Sequence, residues 1–343
     1  MYRFTAGCVR AVLAGVMAMA GGPGLLGLPV MSGAMSPLLL HHYPDSAFSE
    51  KTRLMLGFKG LQWTSVRIPE VLPKPDVMAL TGGYRKTPLL QVGADIYCDT
   101  ALIADVLERL APTPPLYPRE SEGLARILAQ WADSTLFWTV LSYAFQPAGL
   151  QNLFKGAPPE LLKAFLEDRA AFCGDLQRLE PREATGALTQ HVERLGQLLA
   201  DGRPWLLGQA ASIADFCVYH GLWLLRRARL TSLLDAQERL TAWEERVQAL
   251  GHGTSDVLES ARAVEFAASS TPASTDAEPF LPMPGLERGA RVTIRATDYG
   301  TDPVEGELVL SRPNELALRR VDPRAGEIVV HFPRLGFQVK KVG

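Results

Sequence analysis

Thr87-Pro88, in the run Arg85-Lys86-Thr87-Pro88-Leu89-Leu90, is followed shortly by Cys98-Asp99-Thr100-Ala101-Leu102-Ile103. A strand that opens on a proline and leads to an acidic-hydroxyl pair at a helix start has the parts to hold a peptide. If the Thr87–Pro88 bond is cis, the turn leaves the Thr87 N–H and C=O unpaired, and an extended peptide adds there as a strand. Asp99 and Thr100 then stand at a helix N-terminus, where free N–H groups and the helix dipole attract a carboxylate. Taken alone, the same residues also read as a plain strand, turn and capped helix.

Upstream, the apolar run Leu38-Leu39-Leu40-His41-His42 meets the turn Tyr43-Pro44-Asp45-Ser46-Ala47-Phe48-Ser49 and then Glu50-Lys51-Thr52-Arg53. Strand, serine-bearing loop, basic helix, K-x-P-x-L strand and acid-hydroxyl helix start follow in order. Over residues 38–110 this pattern resembles the thioredoxin-like N-terminal domain of the glutathione transferase superfamily. Ser46-Ala47-Phe48-Ser49 stands where thioredoxins and glutaredoxins carry Cys-x-x-Cys. Without a cysteine there, no protein thiolate exists for a mixed-disulfide mechanism.

The resemblance implies roles residue by residue. Thr87 would pair through its backbone with the cysteinyl part of glutathione, and Pro88 would set the turn. Asp99 and Thr100 would hold the γ-glutamyl amine and carboxylate, and Arg85 or Lys86 would meet the glycyl carboxylate. Glutathione enters as co-substrate, with no metal. A thiol with a pKa of about 8.5 is mostly protonated at neutral pH, yet the thiolate is the nucleophile. Ser46, in the loop ahead of a helix, can donate a hydrogen bond to that sulfur, and the positive helix end helps. Lowering the thiol pKa by two units takes about 2.7 kcal/mol, within reach of one charge-assisted hydrogen bond plus a helix terminus. Tyr43 and Ser49 compete for the role, and Ser46 also reads simply as the helix N-cap. Ala47 departs from the Ser-Pro or Ser-Ser of the superfamily's serine branches. The electrophile would lie against a helical domain, with Tyr43, Trp131, Phe137, Trp138 and Tyr143 as pocket candidates.

Around these residues the chain divides. Pro112–Pro118 is a stiff proline-rich link ending the domain over 36–112. Leu124, Ile127, Leu128 and Trp131 then keep helical spacing, and helical patterns without a strand signal predict an all-α bundle over 119–266. Ser212-Ile213-Ala214-Asp215 is a capping box with Ala211 and Phe216 at the staple positions. It resembles the helix-nucleating motif of glutathione transferases. Residues 267–284, rich in Ser, Thr, Ala and Pro, read as a flexible tether. Beyond it, Val292–Ile294, Glu307–Leu310, Leu316–Arg319, Ile328–Phe332 and Phe337–Val342 are short strands separated by turn signals, which predicts a small β-barrel over 285–343. Ordinary glutathione transferases lack that module. Arg319-Arg320 and Lys340-Lys341 read as solvated strand ends. The fold class is therefore an α/β thioredoxin-like domain, an all-α helical bundle and a small all-β C-terminal barrel.

Across 343 residues, 35 Lys and Arg balance 37 Asp and Glu, so no polybasic footprint argues for nucleic acid. Cys8, Cys98, Cys173 and Cys217 are far apart, with no metal-ligand spacing, as in a reducing compartment. Residues 1–35 carry two readings. One is a secretory signal, with Arg3 and Arg10 before an apolar stretch and Ser32-Gly33-Ala34 as cleavage site. The other, favoured because the resemblance starts there, is translation from Met35 and a cytoplasmic protein without stable membrane insertion. Three functions compete: a transferase adding the glutathione thiolate to an electrophilic small molecule, a glutathione-dependent isomerase, and a non-catalytic scaffold for a protein partner. The resemblance further implies a homodimer and a place in detoxification.

Overall fold

The structure is a computed structural model that describes residues 36–174 and 176–342; the two readings of residues 1–35 lie outside the described residues. β1 (Leu38–His42) leads through the Pro44–Asp45 turn into α1 (Ala47–Phe58), and then come β2 (Trp63–Arg67) and α2 (Pro75–Thr81). The hairpin β3 (Leu89–Val92) and β4 (Asp95–Cys98) turns at Gly93 and runs into α3 (Thr100–Leu110). β1 pairs β2 in parallel and β3 antiparallel, the arrangement of a thioredoxin-like sheet. All of β1 is buried, with Leu38 and Leu40 in one core and Leu39 in another, which is why the strand reads as one apolar run. No sequence signal had marked α2, whose first turn holds Pro75 and Asp76.

The helical domain comprises α4 (Glu122–Trp131), a π-helical turn at Ala132–Leu136, α5 (Phe137–Ala144), α6 (Pro147–Leu153), α7 (Pro159–Cys173), α8 (Pro181–Leu198), α9 (Ile213–Arg227), α10 (Ser232–Asp235) and α11 (Glu238–Ala249). α9 is apolar almost all round because it runs through the centre, packed on α1, α4 and α5. Its capping box forms as the sequence predicts. Asp215 accepts from the Ser212 N–H at 2.9 Å, and its other oxygen takes the Leu206 N–H and the Trp243 indole N–H. One buried carboxylate thus pins three segments of the bundle.

Past Gly253 the structure departs from an all-helical reading of 119–266. β5 (Ser255–Leu258) joins the sheet edge in parallel beside β2, and α12 (Ser260–Ala268) packs on α2 and β2. Four residues with exposed Ser255, Asp256 and Val257 carry no clear alternation, so an edge strand here left no trace in the sequence.

The five C-terminal strands fall where the alternation places them: β6 (Arg291–Ala296), β7 (Val304–Ser311), β8 (Glu315–Asp322), β9 (Gly326–Pro333) and β10 (Phe337–Lys341). Successive hairpins join β6 to β9, and β10 returns to pair with β6. Only Arg334–Gly336 connects β9 to β10, so the sheet must curl until its two ends almost meet. Val292, Leu308, Leu318, Val330 and Phe332 fill the curl. This all-β segment is not separate from the first domain. β9 pairs in parallel with β4, so one sheet runs β10-β6-β7-β8-β9-β4-β3-β1-β2-β5. The segment 269–284 is irregular, but it is tied down at both ends: the Ala273 N–H donates to Asp95 at 2.8 Å and the Leu281 N–H to the Ser311 carbonyl at 2.7 Å. That differs from a free tether.

Candidate active site

Thr87 lies between two cavities. The first, about 350 Å³, is bounded by the loop Tyr43–Phe48 and by α5 and α7. The second, about 760 Å³, runs from the start of α3 along α4 to the C-terminal strands. Phe48, Lys86, Thr87 and Tyr299 line both. The Thr87–Pro88 bond is cis. Thr87 Oγ1 is buried without a partner, and among the described residues its backbone N–H and C=O are also unpaired. Orphaned polar groups of this kind call for a ligand with matching donors and acceptors.

In the second cavity, Asp99 is the N-cap of α3 and accepts from the Ala101 N–H at 2.9 Å. Its φ of 73° is unusual outside glycine, a strain of the sort concentrated at functional positions. Thr100 and Pro88 line the same wall. So does Asp133, in the π-helical turn, where both carboxylate oxygens accept from Lys51 Nζ at 2.8 and 2.7 Å. Burial works against the Lys51 ammonium, but the Asp133 charge and Cys217 beside it hold its pKa above the usual lysine value. A lysine of the first domain and an aspartate of the second are thereby locked under the cavity floor. The widened π turn is a frequent mark of functional sites. Neither residue was legible in the sequence, since Lys51 read as part of a solvated basic helix.

In the first cavity, Ser46 caps α1, its Oγ accepting from the Ser49 N–H at 3.2 Å. The Ser46 N–H donates to the Tyr43 carbonyl at 3.3 Å, and the Tyr43 hydroxyl accepts from Arg169 at 3.2 Å. Burial pushes the Tyr43 phenol above the ordinary tyrosine range, so it stays protonated. Phe137 and Trp138 line this cavity. Trp131 does not: it lies edge-on to His191 against the helical core, at 5.3 Å between ring centroids. Tyr143 likewise packs on that core, outside both cavities. Helical spacing cannot separate a core aromatic from a pocket aromatic, and both positions fell on the inner face.

The C-terminal segment enters the site through the loop between β6 and β7. Tyr299 meets Trp138 and Phe172 edge-on, at 4.9 and 5.3 Å. The Gly300 N–H donates to the Phe172 carbonyl at 2.9 Å, and a Cβ at Gly300 would sit 2.4 Å from the Phe172 ring, so only glycine allows this approach. Asp298 takes Lys86 at 2.6 Å, while Arg85 meets Asp168 at 3.0 Å and Asp302 at 3.4 Å. Arg85 and Lys86, one or the other of which was expected to meet a ligand carboxylate, already hold protein carboxylates. No local signal marks this, because a loop 212 positions away supplies the partner of Lys86.

A thioredoxin-like sheet facing a helical domain, with two cavities meeting at Thr87, defines the architecture of the site. The descriptions Glutathione S-transferase, N-terminal domain, and Glutathione S-transferase, C-terminal domain, match residues 40–115 and 176–252. The solved structure of a GST-like protein from Pseudomonas syringae is 44% identical, with a TM-score of 0.76, over 90% of this chain and 100% of that one. A glutathione S-transferase from Rhodospirillum rubrum F11 is 20% identical with a TM-score of 0.47, over 62% of this chain and 88% of its own. FzlA from C. crescentus is 24% identical with a TM-score of 0.46, over the same shares of 62% and 88%. No curated protein matches. The chain belongs to the glutathione S-transferase superfamily. Among the described residues, no helix is long and apolar enough to cross a membrane.

Proposed function

We propose that this protein binds glutathione through Asp99, Thr100 and Thr87 and adds its thiolate to an electrophilic small molecule in the first cavity. The observation that carries the reading is Thr87, whose free N–H, C=O and hydroxyl stand where the two cavities meet. Glutathione, paired there as an added strand beside Pro88, would keep its γ-glutamyl end on the α3 N-terminus. Its sulfur would then turn toward the first cavity.

Ser46 activates that sulfur in this reading. Its oxygen already accepts from the Ser49 N–H, and its own proton is available to the sulfur. The α1 N-terminus adds positive potential. The thiolate pair forms the new bond to carbon, the leaving group departs with its own pair, and the thiol proton passes to solvent. Free buried thiols at Cys98, Cys173 and Cys217 suit a reducing, cytoplasmic setting. A homodimer is part of this reading, with exposed Leu124 and Ile127 on α4 available to a second copy.

One observation favours the scaffold reading: Asp298 and Asp302 occupy the cations that would meet glutathione's glycyl carboxylate. Calorimetric titration with glutathione, followed by turnover of 1-chloro-2,4-dinitrobenzene, separates the two. Saturable binding with turnover supports the transferase; no binding at millimolar glutathione supports the scaffold.

A further inference from the structure

Among the described residues, Tyr299 is the one side chain of the C-terminal segment that lines both cavities. Its ring is fixed on three sides. Trp138 and Phe172 meet it edge-on at 4.9 and 5.3 Å, and the Lys86 ammonium lies over its face, 3.9 Å from the ring centre. The backbone beside it is held as well, by the Gly300 N–H on the Phe172 carbonyl at 2.9 Å. Its hydroxyl, in contrast, makes no hydrogen bond among the described residues. The titratable groups that act on that hydroxyl are Asp298 and Asp99 from the second cavity, with Cys173 and Tyr43 from the first. Burial and all four of these groups push the phenol well above the ordinary tyrosine range. It therefore keeps its proton and serves as a donor rather than a base.

A rigid donor with no acceptor in the protein is preorganised for an acceptor on a ligand. We propose that Tyr299 is a further catalytic residue, whose hydroxyl donates to the carbonyl oxygen of an α,β-unsaturated ketone or aldehyde while the glutathione thiolate adds to its β-carbon. This rests on the transferase reading and names the substrate class of that site. The sulfur pair forms the C–S bond, the C=C π pair shifts toward the carbonyl, and negative charge gathers on the oxygen that faces Tyr299. The proton released by the thiol returns through solvent to the α-carbon, so the adduct forms with no leaving group. A departing halide would give this donor little to hold, and the sulfur has Ser46 in the same reading. A phenol whose ionisation is opposed can stabilise an enolate without giving up its proton, whereas an alkoxide from an epoxide would demand the proton itself. Phe137, Trp138 and Phe172 supply apolar walls for the body of such a ketone.

Tyr299→Phe keeps the ring and its packing and removes only the hydroxyl. Turnover with glutathione compares trans-4-phenyl-3-buten-2-one with cinnamyl bromide, which has a similar aromatic body but loses bromide. In Tyr299→Phe, kcat for the enone should fall on the order of a hundredfold with KM little changed, as for loss of one oxyanion donor. The loss on the bromide should be several-fold at most. Equal losses on both, no loss on the enone, or wild-type turnover of the bromide alone overturns the proposal. A second measurement needs neither glutathione nor turnover. By infrared difference spectroscopy, the carbonyl stretch of bound 4-phenyl-2-butanone should lie at lower frequency in wild type than in Tyr299→Phe. An identical stretch in the two proteins, or no binding of this ketone by wild type, also overturns it. If wild type turns over neither electrophile but the stretch still depends on Tyr299, the transferase reading fails and the carbonyl-binding hydroxyl stands.

Discussion

Lys86 Nζ lies 2.6 Å from the carboxylate of Asp298 and 3.9 Å from the centre of the Tyr299 ring. One lysine of the thioredoxin-like domain is therefore capped by two consecutive residues of the C-terminal segment, at the point where both cavities meet. The added strands are a wall of the site, and the loop that reaches Lys86 is anchored on Phe172.

Asp298→Asn should free Lys86 and tighten glutathione several-fold in calorimetry, because the glycyl carboxylate gains an unmatched ammonium. The pair is half exposed, so its loss costs the fold about 1 kcal/mol or less. Weaker binding in this variant would show that the loop positions glutathione instead of competing with it.

Ser46→Ala removes both an N-cap and the proposed thiol hydrogen bond. The cap loss should lower stability by about 1 kcal/mol. Conjugation should fall on the order of a hundredfold, the usual effect of deleting one donor to a developing anion. Thiolate absorbance of bound glutathione should titrate at higher pH. Tyr43→Phe should have a smaller effect; the reverse ranking assigns activation to Tyr43.

Asp99→Ala and Thr100→Ala should each weaken glutathione by roughly tenfold, since each removes a partner of the charged γ-glutamyl end. Unchanged titrations in both variants remove the γ-glutamyl site from α3.

Deleting 285–343 should abolish cooperative folding. The cut strips β9 from β4, opens the sheet between its two halves, and exposes Leu89, Ile96 and Cys98 of the shared core. A truncated chain with a sharp thermal transition and intact glutathione binding would contradict the continuous-sheet account.

His331 on β9 makes that junction pH-dependent. Its Nε2 lies 3.0 Å from Asp95 and its Nδ1 2.8 Å from Glu315, and Tyr97 stacks on the ring at 4.3 Å. Burial opposes the imidazolium, but the bonds to Asp95 and Glu315 outweigh it and raise the His331 pKa. A raised folded-state value stabilises fully below the unfolded pKa of about 6.5 and fades as pH climbs through the folded value. Glu315 shifts the other way: burial is outweighed by His331, so its pKa is lowered and its contribution fades as pH falls through that value. Stability should peak between these limits, and His331→Phe should flatten the alkaline limb of a urea-midpoint profile.

Local pattern was enough for much of this protein. The first four strands, the helix starts at Asp99 and Ser212, the Thr87–Pro88 turn and the five C-terminal strands follow from apolar runs, alternation, capping residues and turn chemistry, which act within a few residues. Ser46, Thr87, Asp99 and Thr100 stand beside those local signals, and the fold sets them along the two cavities. What sequence left open depends on contacts between distant segments. No local signal tells a tether from a strap when β9 joins β4, or a pocket tryptophan (Trp138) from a core one (Trp131). Lys51, Lys74 and Lys86 look alike as lysines near helices. Tertiary packing gives Lys51 Asp133 and Lys86 Asp298, and sets Lys74 beside the Tyr43 ring instead, because burial and partnership are properties of the assembled surface rather than of the chain.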